Sequence, residues 1–372
     1  MAPLTIEVMD AAKRPTELRV LLKQLPRIRK LSLRWYLNQG EYQDVYQEVT
    51  QMLQYPAPFL ESYSISISQK RDKSPIKVNN LFNGQCPRLT NLSLHLYPSE
   101  FDFDGPTPQF YSNLRSFTCS DSRTANQAMK KLSNMPNLEY LDINLSSIAD
   151  GFPPSTTVNL PRLFGLRLRV EFPHLMTSLN HFVFPETAWL EITSAISEDG
   201  EEKHSSLMEE FSQWLGKRFT GPVRALELRW GSLKAWGMSP DHPQLQLDFT
   251  RIWKHFLQLL LHSLPLQDMR SLKALHDRNT YHNTDHPCKA SWLAHFGALN
   301  HLEKITTSWP PDFLNAFLEG TPDAKKGQGA DMAFKALRHL TLENWNLKKP
   351  FLPDEPRLKD VKDCLRARRK LN

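Results

Sequence analysis

Apolar and polar residues alternate in short bursts along this chain, and most bursts share one spelling. A Pro is followed by any residue, an apolar residue, two residues, an apolar residue, one residue, and a Leu or Ile. The copies are PRIRKLSL from Pro26, PFLESYSI from Pro58, PRLTNLSL from Pro87, PNLEYLDI from Pro136 and PRLFGLRL from Pro161. Looser copies are SNLRSFTC from Ser112, PETAWLEI from Pro185, GPVRALEL from Gly221, NHLEKITT from Asn300 and KALRHLTL from Lys335. Apolar residues two apart place their side chains on one face of a short strand. The leading Pro has no N–H to give to a ladder and marks the strand's beginning.

The middle apolar residue of each copy serves as a marker: Leu31, Tyr63, Leu92, Phe117, Leu141, Leu166, Leu190, Leu226, Ile305 and Leu340. From Leu92 to Leu190 the markers are 25, 24, 25 and 24 residues apart. That spacing lies inside the roughly 20–29 residues of a leucine-rich repeat. The outer copies are longer, and the 79 residues between Leu226 and Ile305 leave room for a degenerate copy near Leu272.

Between copies the period changes from two to about 3.6, the helical spacing. Tyr42 to Leu53 sets Val45, Val49, Met52 and Leu53 on one stripe, and Thr124 to Met135 does so with Ala125, Ala128, Met129, Leu132 and Met135. Further stripes are Leu207, Met208, Phe211, Trp214, Leu215 and Phe219; Ile252, Trp253, Phe256, Leu257, Leu260 and Leu264; and Phe313, Leu314, Phe317 and Leu318. One such strand cannot bury its apolar face alone, but stacked copies can. The expected fold is therefore an α/β leucine-rich-repeat solenoid, with a curved parallel β-sheet on the concave side and helices on the convex side. It is expected to be a single array over residues 1–372. The most regular repeats fall at 87–192; irregular, longer repeats with helical insertions fall at 1–86 and 193–372.

Composition narrows the function. The chain holds 27 Pro but 14 Gly, and phosphate-cradling loops and dinucleotide turns need Gly. GxSxG, HExxH and GxxxxGKS are absent, so the expectation is no enzyme, no catalytic residues and no cofactor. The net charge of +6 is partly gathered at Arg366, Arg368, Arg369 and Lys370, which reads as a solvated basic helix end. Basic residues interleaved with aromatics along one face are not found, so no nucleic-acid partner is expected. Four scattered Cys without a CxxC pair fit reduced thiols in the cytoplasm or nucleus. The most apolar stretch, Phe249 to Leu266, is broken by Arg251, Lys254, His255 and His262. It is too short to span a bilayer, so no membrane association is expected.

If the strands line the concave side, the residues between the apolar ones face a partner. The candidates are Arg34, His95, Tyr140, Asp142, Arg167, Arg169, Trp189, Glu191 and Arg229. Asp142, Arg167 and Glu191 hold the same strand position in successive copies, so a parallel stack makes them lateral neighbours. They form either a charge ladder that only steadies the sheet, or a recognition patch flanked by Tyr140, Arg169 and Trp189. Tyr, Trp and Arg are the types that most often carry interface energy.

Two other constellations carry candidate chemistry. LHDRNTYHNTDHPCKASWLAHF (275–296) gathers His276, His282, His286 and Cys288. Imidazole and thiolate bind zinc, but these spacings match no standard zinc motif. A polar loop is the expected reading; a metal-binding protein or hydrolase built on this segment is the alternative, and a structural subunit of a larger assembly is another. The acidic run EDGEEKH (198–204) reads as a solvated loop.

LFNGQCPRLTNLSL (81–94) followed by SNLRSFTC, together with APFLESYSI (57–65) and DVKDCLRARRKL ending at Leu371, resembles the repeat region of fungal F-box and leucine-rich-repeat proteins. The resemblance implies a protein-interaction module of the substrate-receptor type, in which the repeats recruit a protein and an F-box docks on a ubiquitin-ligase adaptor. No F-box is found in this chain, so the adaptor is a partner only if an F-box exists outside it. The usual Asn after the strand is replaced by Tyr36, Ser68, Tyr97, Ser122, Ser146 and Glu171, which predicts irregular turns there.

Overall fold

The computed structural model describes residues 4–9, 15–37, 48, 50–69, 77–78, 81–97, 100–101, 108–120, 122–145, 157–196, 201–229, 231–237, 241–250, 254–275, 292–308, 310–319, 332–343 and a few isolated positions from 359 to 366. The fold is mixed α/β, with mostly parallel strand pairing. The chain forms two compact units, Met1–Ser194 and Ala195–Asn372, each described by itself.

The first unit carries β1 (Leu4–Val8), β2 (Ile28–Leu37), β3 (Ser62–Gln69), β4 (Lys77–Val78), β5 (Asn91–Tyr97), β6 (Glu100–Phe101), β7 (Ser116–Cys119), β8 (Tyr140–Asn144), β9 (Val158–Asn159), β10 (Gly165–Glu171), β11 (Phe182–Val183) and β12 (Trp189–Ala195). Its main sheet runs β1-β2-β3-β5-β7-β8-β10-β12. β4 with β6 and β9 with β11 form small two-stranded parallel sheets. β1 lies ahead of the first sequence copy and pairs parallel with β2.

The marker residues share one register. Leu31, Tyr63, Leu92, Phe117, Leu141 and Leu166 stand side by side across six strands. Beside them runs the row Leu33, Ile65, Leu94, Cys119, Ile143 and Leu168. All twelve side chains are buried. Each large one removed from water contributes about 1.5–3 kcal/mol, so a one-residue slip would turn a whole row to solvent.

A second regularity sits just before the strands. The N–H of Leu60, Leu89, Leu114, Leu138, Leu163 and Ala188 donates to the carbonyl three residues back, at Ala57, Cys86, Tyr111, Met135, Leu160 and Pro185. The next carbonyl then receives two N–H groups from the following copy. Glu61 accepts from Thr90 and Asn91, Thr90 from Arg115 and Ser116, Arg115 from Glu139 and Tyr140, and Glu139 from Phe164 and Gly165. Asn side chains extend this ladder: Asn113 Nδ2 donates to the Pro87 carbonyl at 3.0 Å and Asn137 Nδ2 to the Ser112 carbonyl at 2.8 Å. The repeat thus satisfies its turn backbone ahead of each strand.

Helices Pro15–Leu22, Pro108–Ser112, Ser122–Lys131 and Phe172–Asn180 join the strands. The expected stripe Ala125, Ala128, Met129, Leu132 and Met135 is buried. Of the 42–53 stripe, Leu53 is buried, while Val45 and Val49 lie outside the described residues.

The second unit carries β13 (Ala225–Arg229), β14 (Ser232–Trp236), β15 (Leu245–Phe249), β16 (Ser271–Ala274), β17 (Lys304–Thr307) and β18 (His339–Leu342), in the order β15-β14-β13-β16-β17-β18. Leu226, Leu272, Ile305 and Leu340 align in one row, so Leu272 marks a strand as the long gap suggested. The expectation of purely parallel pairing fails here, because β13–β14 and β14–β15 are antiparallel. The cause is local. Arg229 pairs with Ser232 across a two-residue turn, and Gly231 in that turn has φ +69°. A Cβ at Gly231 would lie 2.4 Å from the Phe249 carbonyl oxygen, so close approach and backbone conformation both require glycine.

Helices Glu201–Arg218 and Lys254–Ser263 pack together, with Phe211 lying 6.3 Å from Phe249 and 6.2 Å from Phe256 between ring centres. Met208, Phe211, Leu215 and Phe219 are buried, as the stripe predicts, with Leu207 and Trp214 half-buried. Ile252 and Trp253 lie outside the described residues. In helix Pro310–Glu319, Phe313 packs on Trp292 at 5.1 Å and on Phe334 at 5.6 Å. Among the described residues no helix is long and apolar enough to cross a membrane.

Candidate functional site

The polar residues of the first unit's strands form rows of their own, one for each apolar row beneath. Lys30, Ser62, Asn91, Ser116, Tyr140 and Gly165 make one row. Ser32, Ser64, Ser93, Thr118, Asp142 and Arg167 make the second. In the third, Arg34 pairs with Ser66 and Ser66 with His95, while Asn144 pairs with Arg169. β12 lies next to β10 and adds Trp189 and Glu191.

Asp142 is the centre of the charged part. It is 5% exposed, an unusual place for a carboxylate unless it is paired. Arg169 Nη1 lies 3.2 Å from Asp142 Oδ1, and Arg167 Nη1 lies 3.4 Å from Asp142 Oδ2. The Arg169 pair is an ion contact that leaves Oδ1 without a well-directed hydrogen bond. Arg167 Nη2 also reaches Glu191 Oε2 at 2.8 Å. The two guanidiniums are each about one-third exposed. Burial works to lower the Arg167 pKa, but the Glu191 hydrogen bond and charge, with Tyr140 and Asp142, outweigh it and raise the pKa. Two arginines thus face two carboxylates across three neighbouring strands.

The aromatic part has a different origin. The Tyr140 and Trp189 rings lie 5.7 Å apart at 40°, with Gly165 paired to Tyr140 on the strand between them. A Cβ at Gly165 would sit 2.3 Å from Trp189 Cε2. The missing side chain is what lets the indole lie across β10 toward the phenol. Burial first, then Asp142, raises the Tyr140 pKa, with Arg167 opposing. The phenol therefore stays a hydrogen-bond donor at neutral pH.

His95 ties the neighbouring rows together. Its Nε2 lies 2.9 Å from Ser93 Oγ and its Nδ1 3.0 Å from Ser120 Oγ. Asn144 Nδ2 donates to the Ser120 carbonyl at 2.8 Å. Burial lowers the His95 pKa; Asp142 pulls it up while Arg169 and Arg34 push it down. The ring is thus neutral at pH 7. A Ser–His contact is the start of a nucleophile–base pair, but the nitrogen that a carboxylate would orient is spent on a hydroxyl. The arrangement works as a polar strut.

No family model matches this chain. No curated protein matches it either.

Of the sequence candidates, Tyr140, Asp142, Arg167, Arg169, Trp189 and Glu191 come together, and the charges of Asp142, Arg169 and Arg34 reach His95. Arg34 is exposed. Arg229 belongs to the second unit, where its Nε donates to Glu227 Oε1 at 2.6 Å. His276, His282, His286 and Cys288 lie outside the described residues, as do Arg368, Arg369 and Lys370. Among the described residues no group of three or more His, Cys, Asp or Glu could hold a metal. Sequence reasoning missed the role of Gly165, which is not among its candidates. The signal was available: glycine inside a strand marks a close approach, and the same position one copy later is Trp189.

Proposed function

We propose that this chain is a leucine-rich-repeat protein whose polar strand face recognises a protein partner, centred on Tyr140 and Trp189. The repeat assignment is supported by markers that align in register and by one turn recurring before each strand. The single observation that carries the binding role is the aromatic pair. Trp189 and Tyr140 stand half-buried on the polar face rather than in the core. A glycine is placed between them so that they can meet. Rigid aromatics with one polar end are favoured interface anchors because they cost little entropy to order.

The ladder of Asp142, Arg167 and Glu191 acts here as a support. It fixes the guanidiniums of Arg167 and Arg169, each about one-third exposed, beside the aromatic pair. A ubiquitin-ligase role would follow only with an F-box outside this chain.

The test is comparative enrichment. Tagged wild type and the Trp189→Ala and Arg169→Glu variants are incubated with lysate of the source cells, and bound proteins are quantified. A hot-spot loss of about 2 kcal/mol weakens binding roughly thirtyfold. A specific partner should therefore be depleted strongly with both variants, each checked for an unchanged circular dichroism spectrum. An identical partner set from wild type and both variants would refute the proposal.

A further inference from the structure

The second unit holds a cleft of about 570 Å3 lined by Arg224, Ala225, Leu226, Glu227, Trp236, Gly237, Arg270, Ser271 and Lys273. That size falls in the roughly 300–1,000 Å3 range of small-ligand sites. The register explains its shape. Trp236 pairs with Ala225, and Ala225 with Ser271. Two small residues thus leave a hollow beside one large aromatic. Arg224 and Arg270 stand one position ahead of these, just before the adjacent strands β13 and β16, which lie about 4.8 Å apart.

The position of the two arginines is informative, because it recurs in every copy. In the first unit its charged residues are paired across neighbouring copies: Arg29 binds Glu61 and Arg115 binds Glu139. In the second unit the same place holds Arg224, then Arg270, then Glu303 and Arg338, so Arg224 and Arg270 are lateral neighbours of like charge. Among the described residues neither makes a side-chain ion pair or hydrogen bond. Like charges opposite one another on neighbouring strands destabilise a sheet. The third lining cation, Lys273, shares the one lining carboxylate with Arg229: its Nζ lies 3.5 Å from Glu227 Oε2, while Arg229 Nε lies 2.6 Å from Oε1. The cleft therefore keeps two net positive charges, both at one end, and an apolar wall of Leu226 and Trp236 beyond them.

We propose that this cleft binds a phosphate monoester carried on a flat apolar group. The phosphate sits between Arg224 and Arg270, whose planar forks match its oxygens. Near neutral pH its charge is about −1.5 to −2, which balances the two arginines. The organic part lies over Ala225 and Ser271 against Trp236. A second acidic group further along would meet Glu227, so one doubly charged end fits better than two separated ones. The ester comes either as a free small molecule or as a phosphorylated tyrosine of a protein, and the two share this chemistry.

The test is titration calorimetry on the full chain with phenyl phosphate, inorganic phosphate and phenol. Phenyl phosphate should bind at least about tenfold more tightly than either fragment. Arg224→Gln and Arg270→Gln should each weaken it about tenfold or more, while the melting temperature without ligand stays level or rises as the repulsion is relieved. Trp236→Ala should shrink the advantage of phenyl phosphate over inorganic phosphate. Arg115→Gln, at the same repeat position in the first unit, should change nothing. A capped phosphotyrosyl peptide that binds more tightly than phenyl phosphate supports a protein source; weaker binding supports a free ester. Three results would overturn the proposal: no saturation up to about 10 mM phenyl phosphate, undiminished binding in both arginine variants, or inorganic phosphate binding as well as the ester. Each is independent of whether the Tyr140–Trp189 face binds a protein.

Discussion

Replacing Asp142 by Asn keeps the shape of the side chain and removes its charge. In the wild type this carboxylate is 5% exposed and faces two guanidiniums, at 3.2 Å and 3.4 Å. At an effective dielectric near 20, a unit pair about 4 Å apart is worth about 4 kcal/mol. Two such pairs set an upper bound. Asn no longer bears the cost of desolvating a charge, and each guanidinium is 34% exposed and partly screened. Removing one partner of a buried pair typically costs about 3–5 kcal/mol, and solvent access to the arginines lowers this to about 2–3 kcal/mol. Glu191→Gln loses only the 2.8 Å contact with Arg167, so its cost should be about 1 kcal/mol. Urea denaturation followed by far-UV circular dichroism reads both values, and urea leaves ionic strength free to vary. Raising salt should shrink the Asp142→Asn effect only slightly, because a buried pair is poorly screened. A cost under about 0.5 kcal/mol, or one smaller than that of Glu191→Gln, would refute the view that Asp142 holds the ladder together.

Gly165→Ala should cost about 1–3 kcal/mol by overpacking against Trp189, and most of that cost should vanish in a Trp189→Ala background, which a double-mutant cycle in urea measures. Gly231→Ala should destabilise the second unit by more than about 1 kcal/mol, since φ is +69° and the Phe249 oxygen is 2.4 Å from the added carbon; an unchanged urea midpoint would contradict this. Leu141→Ala, in a fully buried row, should cost about 2–5 kcal/mol. Leu340→Ala, at a half-exposed position of β18, should cost clearly less. Burial pushes the Cys86 thiol up to about 12 from a usual value near 9. Between those values the unfolded thiol ionises and the folded one does not, so stability from this group is full below about pH 9 and falls as pH rises toward 12. Cys86→Ala should lack that share of the alkaline loss, and alkylation of Cys86 should track global unfolding.

The strand positions were legible in the sequence because burial of one face imposes period two on every copy, and a parallel stack imposes a constant phase. Leu92, Phe117, Leu141 and Leu166 fall in one row for that reason, and even Leu272 could be placed from a gap. The antiparallel β13–β14–β15 segment was not anticipated, although SLKAW and LQLDF alternate strictly and a glycine, Gly231, stands between β13 and β14. Alternation states that a strand exists but not which way its neighbour runs; the turn decides that. For the candidate site, the sequence identified the side chains that share a face. It left open whether Asp142, Arg167 and Glu191 answer each other or a partner, because that depends on distances of a few tenths of an ångström between neighbouring strands. The same limit hid the meeting of Tyr140 with Trp189, which needs the empty space above Gly165. Local pattern determined which face each residue occupies. Only tertiary structure decided which residues on that face touch, because lateral neighbours in a sheet lie some 25 residues apart and are joined by packing alone.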